Sequence, residues 1–528
     1  MFVSSNGVKE DIVIHGARIL IIEDNPGWID TLWGILTPVA DQLDVATTVA
    51  DAITLLEQRY YNLAIVDVSL HRADDRDSQG MKILAYLLKT GLDEAIQCIM
   101  LSAYGNVERV RRSFSEFAVV DFIDKAKFSE TELLQVLENA LRENDLGRPL
   151  AIDISRSRNL RDFWQPFNWP KREDPDQLEA ELRDLLARLF SDAESLFITD
   201  APTGQSGAGM LRVTPTYGQG IGPPVIVKFG KRDKITIERD NYQAHVANFA
   251  GDQSATQLGF VSGRAMAAVL YRLIGTALNR VVDFGVYYES HDVPAIQAAL
   301  DHLFSVVCKY WYDNSRSPRI NNIIQVYERS LHIEWDEVWR LATDAPVEFE
   351  QPTLFFPGLE KGYPNPQAWL EEREYEVDVP MVESVTHGDL NETNVLVTPR
   401  GRCWLIDFYR TGWGHILADV VELETAIKFN FAPTVTLQEY AELESYLLRQ
   451  ERIDELSLPE EDHPLYKPIA VIAHLRRLAD ILTGVDKGMD QYNLGLFMTA
   501  LKVLGIEAFE GQRKKALLSA SMLCERLR

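Results

Sequence analysis

Arg18-Ile19-Leu20-Ile21-Ile22-Glu23-Asp24 is a short apolar run that ends in two carboxylates. Trp28, Leu32 and Leu36 then recur at helical spacing. The alternation returns three times. Leu63-Ala64-Ile65-Val66 ends in Asp67, Ile96-Gln97-Cys98-Ile99-Met100-Leu101 ends in Ser102, and Val119-Val120-Asp121-Phe122-Ile123 is followed by Lys125. Short buried strands separated by helical patterns predict an α/β arrangement, a parallel sheet with helices on both faces, over residues 15–145.

In such a sheet, ligands bind at the carboxyl ends of the strands. Those ends deliver Glu23, Asp24, Asp67, Ser102 and Lys125. Three carboxylates at one sheet edge repel each other unless a hard divalent cation lies between them, and oxygen ligands suit Mg²⁺. With the charge on an incoming phosphoryl group neutralised, Asp67 can attack as a carboxylate nucleophile. The Ser102 hydroxyl and Lys125 ammonium then bind the new phosphoryl oxygens.

Residues 18–142 resemble a two-component response-regulator receiver domain, which implies an α/β, doubly wound, five-stranded parallel sheet of flavodoxin-like fold. The resemblance assigns the acidic pair to Glu23 and Asp24, the phosphoacceptor to Asp67, the hydroxyl to Ser102, the lysine to Lys125 and the aromatic switch to Phe122. It implies a cognate histidine kinase or a small phosphodonor as partner, and a homodimer through the receiver. Two positions depart from the family pattern. Ala126 stands where a proline usually follows the lysine, and the loop Ser69 to Gln79 after the phosphoacceptor is long and charged.

The whole chain has 528 residues and a formal net charge of −26. That charge argues against nucleic-acid or anionic-membrane partners, since no basic patch overrides it. The four cysteines form no CxxC pair and sit among apolar neighbours, which predicts buried free thiols in a reducing compartment. No apolar run reaches bilayer length and residues 1–9 lack a signal-peptide core, so the expected location is cytoplasmic.

Beyond the receiver, prolines and charges mark residues 146–175 as a linker, and Leu178, Leu182, Leu185 and Leu189 predict a helix from Gln177. The connecting segment is taken as 146–190. Residues 195–230 read as strands around a glycine-rich turn. From about 238 the chain reads as mainly helical, apart from strand-like pieces near 281–288, 394–397 and 403–407.

The second chemical motif is Thr386-His387-Gly388-Asp389-Leu390-Asn391-Glu392-Thr393-Asn394, followed by Asp407 in Trp404-Leu405-Ile406-Asp407-Phe408. Phosphoryl transfer needs a carboxylate beside the acceptor hydroxyl and oxygen ligands for Mg²⁺. Asp389 fits the first role, Asn394 and Asp407 the second. The Asp-to-Asn spacing matches the kinase catalytic loop, with Gly388 replacing arginine and Tyr409 replacing the glycine after Asp-Phe. Upstream, Gly204-Gln205-Ser206-Gly207-Ala208-Gly209 precedes a strand carrying Lys228, and a helix bearing Glu238, Tyr242 and Val246 would aim Glu238 at Lys228. Gly204, Ser206, Gly207, Gly209, Lys228 and Glu238 are therefore the candidate nucleotide-binding set.

Over roughly 190–528 this set resembles the aminoglycoside phosphotransferase and choline-kinase branch of the protein-kinase-like fold. More narrowly, it is similar to the bacterial ternary-complex-associated kinase-like domains. The resemblance implies an α+β bilobal fold, with an N-lobe at 191–260 and a largely helical C-lobe at 261–528, using ATP and Mg²⁺. Asp419 falls where that branch often buttresses its catalytic loop, although a solvated helix-start aspartate fits equally. The acidic run Glu371 to Asp378 reads as a solvated face, and Tyr310, Trp311 and Tyr312 as core.

The combined expectation is a signalling phosphotransferase. Phosphorylation of Asp67 would control transfer of the ATP γ-phosphoryl group to a hydroxyl of an unknown small-molecule acceptor, the 146–190 segment carrying the change. The alternatives are a protein kinase acting on a partner or on itself, and a catalytically weak signalling adaptor.

Overall fold

The computed structural model describes residues 16–70, 79–102, 117, 119–143, 145–146, 148–155, 159–163, 173–200, 208–247, 256–272, 281–345, 347–373, 377–483, 488–506 and 509–527. The chain divides into two compact bodies, Met1–Thr236 with Gln257–Arg272, and Ile237–Thr256 with Leu273–Arg528.

The first body opens with β1 (Arg18–Ile22), α1 (Pro26–Leu36), β2 (Gln42–Ala46), α2 (Val49–Gln58), β3 (Leu63–Asp67), α3 (Gln79–Thr90), β4 (Gln97–Ser102), β5 (Val119–Asp124) and α4 (Glu130–Glu143). The strands form a five-stranded sheet in the order β2-β1-β3-β4-β5, with parallel neighbours throughout. Two apolar clusters cover its faces. Ile19, Ile21, Ile65, Ile99 and Leu133 lie in one, Leu20, Val66, Met100, Ile83 and Leu87 in the other. The alternation along β1 divides these residues, because successive strand side chains point to opposite faces. Strand β2 has no apolar run to announce it. It is an edge strand, Gln-Leu-Asp-Val-Ala, half-buried over most of its length.

The same body holds a second, seven-stranded sheet. It contains β6 (Ala151–Ile154), β7 (Ser195–Asp200), β8 (Gly209–Tyr217), β9 (Gly220–Ile221), β10 (Val225–Lys231), β11 (Thr256–Ser262) and β12 (Met266–Arg272). The order is β11-β12-β10-β8-β7-β6, with β9 beside β8. The β6–β7 pair is parallel, and β7–β8, β8–β10 and β10–β12 are antiparallel, so the sheet is mixed. Helix α5 (Pro175–Leu189) covers it with Leu178, Leu182, Leu185 and Leu186. Asp174 caps α5 by accepting from the Asp176 N–H, and Pro175 opens its first turn.

Two readings of the sequence are corrected here. The stretch taken as linker contributes β6 to the sheet, hidden because an edge strand exposed at alternate residues carries little apolar signal. The stretch taken as mainly helical contains β11 and β12. Met266 to Tyr271 is buried at every position, and a continuous apolar run of that length does not distinguish a buried strand from a helix. The sheet therefore runs to Arg272. Helix α6 (Arg232–His245) begins before the expected position.

The second body continues with β13 (Val282–Asp283), α7 (Phe284–Ser290), α8 (Val293–His302), α9 (Lys309–Asp313), β14 (Arg319–Asn322), α10 (Ile323–Leu331), α11 (Trp335–Ala342), β15 (Thr353–Phe355), β16 (Gly362–Pro364) and α12 (Pro366–Arg373). Then come β17 (Asp378–Met381), β18 (Glu383–Thr386), β19 (Val395–Val397), β20 (Cys403–Leu405), β21 (Gly412–His415), α13 (Ala418–Ala426), α14 (Leu437–Leu447), α15 (Tyr466–Thr483), α16 (Asp490–Leu504) and α17 (Glu510–Arg526). The piece near 281–288 is mostly helix: Asp283 accepts from the Val286 N–H and starts α7 two residues into the expected strand. Helix α13 is buried at every residue. Its Glu424 pairs with Arg476 and accepts from the Tyr492 hydroxyl at 2.6 Å, so this internal charge is fully partnered. All four cysteines are buried and free. Trp311 and Tyr312 are buried, while Tyr310 is exposed. No helix among the described residues is long and apolar enough to cross a membrane.

Candidate functional site

The strand order reverses between β1 and β3, and the crevice beside that switch point collects the first site. Ile22 pairs with Val66, so Glu23 and Asp67 follow on adjacent strands, while Asp67 pairs with Leu101 and Ser102 ends β4. Each of Glu23, Asp24 and Asp67 presents an oxygen within 4.8 Å of the others. The Lys125 ammonium donates to Glu23 Oε2 at 2.6 Å and lies 2.9 Å from Asp67 Oδ2. It also sits 5.3 Å from the centre of the Trp28 ring. Burial pushes the Asp67 carboxyl up, with Lys125 opposing and Asp24 adding to the rise. Burial likewise raises Glu23, Lys125 opposes it, and the Asp67 charge adds. Three carboxylates around one ammonium leave an excess of negative charge, the setting in which a hard divalent cation fits.

The structure thus brings Glu23, Asp24, Asp67 and Lys125 together, with Ser102 at the same sheet edge. Phe122 is half-buried on β5, paired with Met100. Ala126 places the lysine without a proline. Its N–H, which proline lacks, donates to Asp124 Oδ1 at 2.9 Å, and no cis peptide occurs among the described residues. Residues 71–78 of the charged loop lie outside the described residues.

The second site is built on the β19–β20 hairpin and the loop that precedes it. Val395 pairs with Leu405, so Asn394 and Asp407 flank the same end of this hairpin. The Asn394 amide donates to the Asp389 carbonyl at 2.9 Å and to Asp389 Oδ2 at 3.4 Å. Ile406 N–H donates to the Asn394 carbonyl at 3.1 Å. His387 Nε2 lies 3.0 Å from the Ile406 carbonyl, tying the His-Gly-Asp loop to the segment that carries Asp407.

Two backbone conformations here are unusual. Gly388 has φ +74°, and a Cβ there would meet the Arg410 carbonyl oxygen at 2.4 Å. A left-handed conformation with no room for a side chain explains why position 388 is glycine. Asp407 is not a glycine, yet it has φ +70°, a costly conformation of the kind that clusters at functional positions.

Asp419 is fully buried and buttresses the loop. Its carboxylate accepts from His387 N–H at 3.0 Å, Gly388 N–H at 3.1 Å and the Tyr312 hydroxyl at 2.9 Å. Three residues further along α13, Glu422 accepts from Leu390 N–H at 2.7 Å. Lys502, on α16, bonds both Asp389 and Glu422 and lies 2.7 Å from Asp389 Oδ1. Burial alone would raise the Asp389 carboxyl, but Lys502 and Arg410 outweigh it and hold the group well below the usual carboxylate range.

A family profile, the response regulator receiver domain, matches residues 19–138. Another, ternary complex associated domain 9 (TCAD9), matches residues 201–340 and 336–505, more than half of the chain. The chain belongs to the ternary complex associated domain 9 family. This TCAD9 protein carries a response-regulator receiver domain at its amino-terminal end. It is similar to the two-component response regulator ARR11 of Arabidopsis thaliana, 26% identical over 132 residues, 24% of each chain. It therefore spans about a quarter of that relative's length. Among solved structures it is similar to a CheY-like receiver domain protein from Methanospirillum hungatei, at 24% identity, covering 24% of this chain and 94% of that one with a TM-score of 0.22. It is also similar to NtrX from Brucella abortus in complex with ATP, at 26% identity, covering 24% and 27% with a TM-score of 0.22.

Within the TCAD9 region, Gly204, Ser206 and Gly207 lie outside the described residues. Gly209 opens β8, opposite Phe229. Lys228 is buried on β10 between Met210 and Val269, and Glu238 is buried on α6. Glu422, Arg410 and Lys502 were not foreseen. Lys502 lies 113 residues from Asp389, and no spacing rule connects them.

Proposed function

We propose that this TCAD9 protein is a phosphorylation-regulated phosphotransferase. Asp67 takes a phosphoryl group from a histidine kinase or a small phosphodonor. A carboxylate oxygen of Asp67 attacks phosphorus, the donor's P–N or P–O bond breaks, and an acyl phosphate forms. A divalent cation held by Glu23, Asp24 and Asp67 supplies charge neutralisation when bound. Lys125 moves from pairing carboxylates to pairing the new phosphoryl oxygens.

In the second body the proposed reaction is transfer of the ATP γ-phosphoryl group to a hydroxyl of a small molecule. The acceptor oxygen bonds to phosphorus, its proton passes to Asp389, and the bond to ADP breaks. Asn394 orients the Asp389 carboxylate, and Asn394 and Asp407 are the residues that would hold Mg²⁺. A carboxylate kept ionised by Lys502 suits a loose transition state, in which the hydroxyl is aligned early and loses its proton late.

The observation that supports this reading is the hydrogen-bonded loop in which Asn394 grips Asp389 beside the hairpin end that leads to Asp407. The test measures ATP consumption by the full chain in the presence of a metabolite extract, before and after treatment with acetyl phosphate. The expected result is turnover that depends on Asp67 phosphorylation and is lost in Asp389→Asn. Equal ATP consumption in Asp389→Asn and the unaltered chain would overturn the transferase reading.

A further inference from the structure

Asp67 and Arg232 meet opposite ends of one helix. Helix α3 starts against the phosphoacceptor strand. Gly80 N–H donates to the Val68 carbonyl at 3.2 Å, and a Cβ on Gly80 would lie 2.1 Å from the Asp67 carbonyl oxygen. Its first turn is seated on the backbone of the residue that accepts the phosphoryl group. The helix then runs twelve residues, about 18 Å at 1.5 Å per residue, with Ile83, Leu84 and Leu87 buried in the receiver core.

The far end is gripped by the second sheet and its helices. The Arg232 guanidinium donates to the Thr90 carbonyl, and Gly91, at φ +65°, would place a Cβ 2.8 Å from Arg232 Nη2. Arg188 of α5 donates to the Glu94 carbonyl at 3.1 Å, and the Ser262 hydroxyl donates to Glu94 Oε2 at 3.2 Å. Cationic side chains on the free carbonyls at a helix carboxyl end are electrostatically favourable. Other contacts between the receiver and this sheet are made through Tyr60 and Glu57, outside α3. The Tyr60 hydroxyl donates to Asp184 at 2.6 Å with both residues buried, Tyr60 N–H donates to Gln177, and Arg264 donates to the Glu57 carbonyl.

We propose that α3 carries the phosphorylation state of Asp67 to α6, through the contact between Thr90 and Arg232. Interior side chains are too closely held for α3 to bend, so a shift of its first turn moves its last carbonyls. Arg232 is the first residue of α6, so a change in its grip acts on the start of the helix that carries Glu238. This route differs from the covalent one through residues 146–190, where Arg148 donates to the Phe190 and Ala193 carbonyls at 2.7 Å each. The inference needs only Asp67 phosphorylation and stands whether or not the second body transfers phosphate.

Hydrogen exchange of the full chain, with and without beryllium fluoride as the acyl-phosphate mimic, tests it. The mimic is expected to alter exchange in residues 79–90 and 232–245, and both responses vanish in Asp67→Asn. In Arg232→Met the 79–90 response persists and the 232–245 response is lost, whereas Arg148→Met keeps both. Arg188→Met, which leaves the Thr90 contact of Arg232 in place, keeps both. A 232–245 response that survives intact in Arg232→Met, or one lost in Arg188→Met or Arg148→Met, overturns the proposal. So does a mimic response confined to residues 119–155.

Discussion

Lys502 and Asp389 form an ion pair across 113 residues of chain, Nζ to Oδ1 at 2.7 Å, with Glu422 closing the triangle. One ammonium thereby keeps a half-buried carboxylate and a buried one side by side. Lys502→Met leaves the two carboxylates facing each other and is expected to destabilise the second body by about 3 kcal/mol, the low end for breaking a buried pair because Asp389 is partly exposed. A shift in the denaturant midpoint, read by thiol labelling of Cys403, checks it. Lys502→Arg recovers most of the loss.

The same pair sets an acid sensitivity. Asp389 is depressed in the folded chain from an ordinary 3.8, so its contribution is fully present above that value and is lost as pH falls further, toward the folded-state value. Lys502→Met reduces this part of the acid profile, leaving the share that Arg410 contributes. An acid-unfolding curve unchanged in shape by Lys502→Met would show that the pair contributes no pH dependence.

Asp419→Ala strands two backbone N–H groups and the Tyr312 hydroxyl in the interior. Each unmade buried bond costs about 1–3 kcal/mol, so the loop from His387 to Leu390 is expected to open or the second body to unfold. Amide exchange at Gly388 reads this directly. Gly388→Ala reaches the same loop by another route, forcing a side chain against the Arg410 carbonyl, and is expected to cost about 1–3 kcal/mol.

Glu181 gives the first body an opposite pH trend. It is fully buried on α5, and burial pushes its carboxyl up to about 7, although Arg264 and the N–H groups of Met266 and Ala265 oppose the rise. Between 4.5 and 7 the folded chain holds the proton and the unfolded chain does not, so stability falls as pH rises through this window, by about 3 kcal/mol at most. Glu181→Gln flattens that slope. Labelling of buried Cys98 at increasing denaturant, at pH 5.5 and pH 8, measures it.

Cation binding at the receiver is expected to raise its unfolding temperature in proportion to the logarithm of Mg²⁺ above the dissociation constant. Asp24→Asn weakens the effect. Lys125→Met, which removes the ammonium 2.9 Å from Asp67 Oδ2, strengthens it. Isothermal titration with Mg²⁺ separates the two variants, and equal affinities would contradict the electrostatic account.

The receiver was legible because its chemistry rides on local signals. Runs such as Ile19 to Ile22 fix a strand by their own periodicity, and the proposed reacting groups are the residues that end those strands. The His387 to Asn394 motif was legible for a similar reason, as five-residue spacing within one loop. What sequence could not supply was anything carried by half-exposed edges or by distant partners. Strands β2 and β6 lack apolar runs because only one side of each is paired. Helices and strands with every face buried, such as Met266 to Tyr271, lose the periodicity that would tell them apart. Lys502 on Asp389, Asp419 under Gly388 and Arg232 on Thr90 are decided by tertiary structure alone. A salt bridge or a hydrogen bond depends on distance in space, and chain separation says nothing about it until the core has chosen which faces meet.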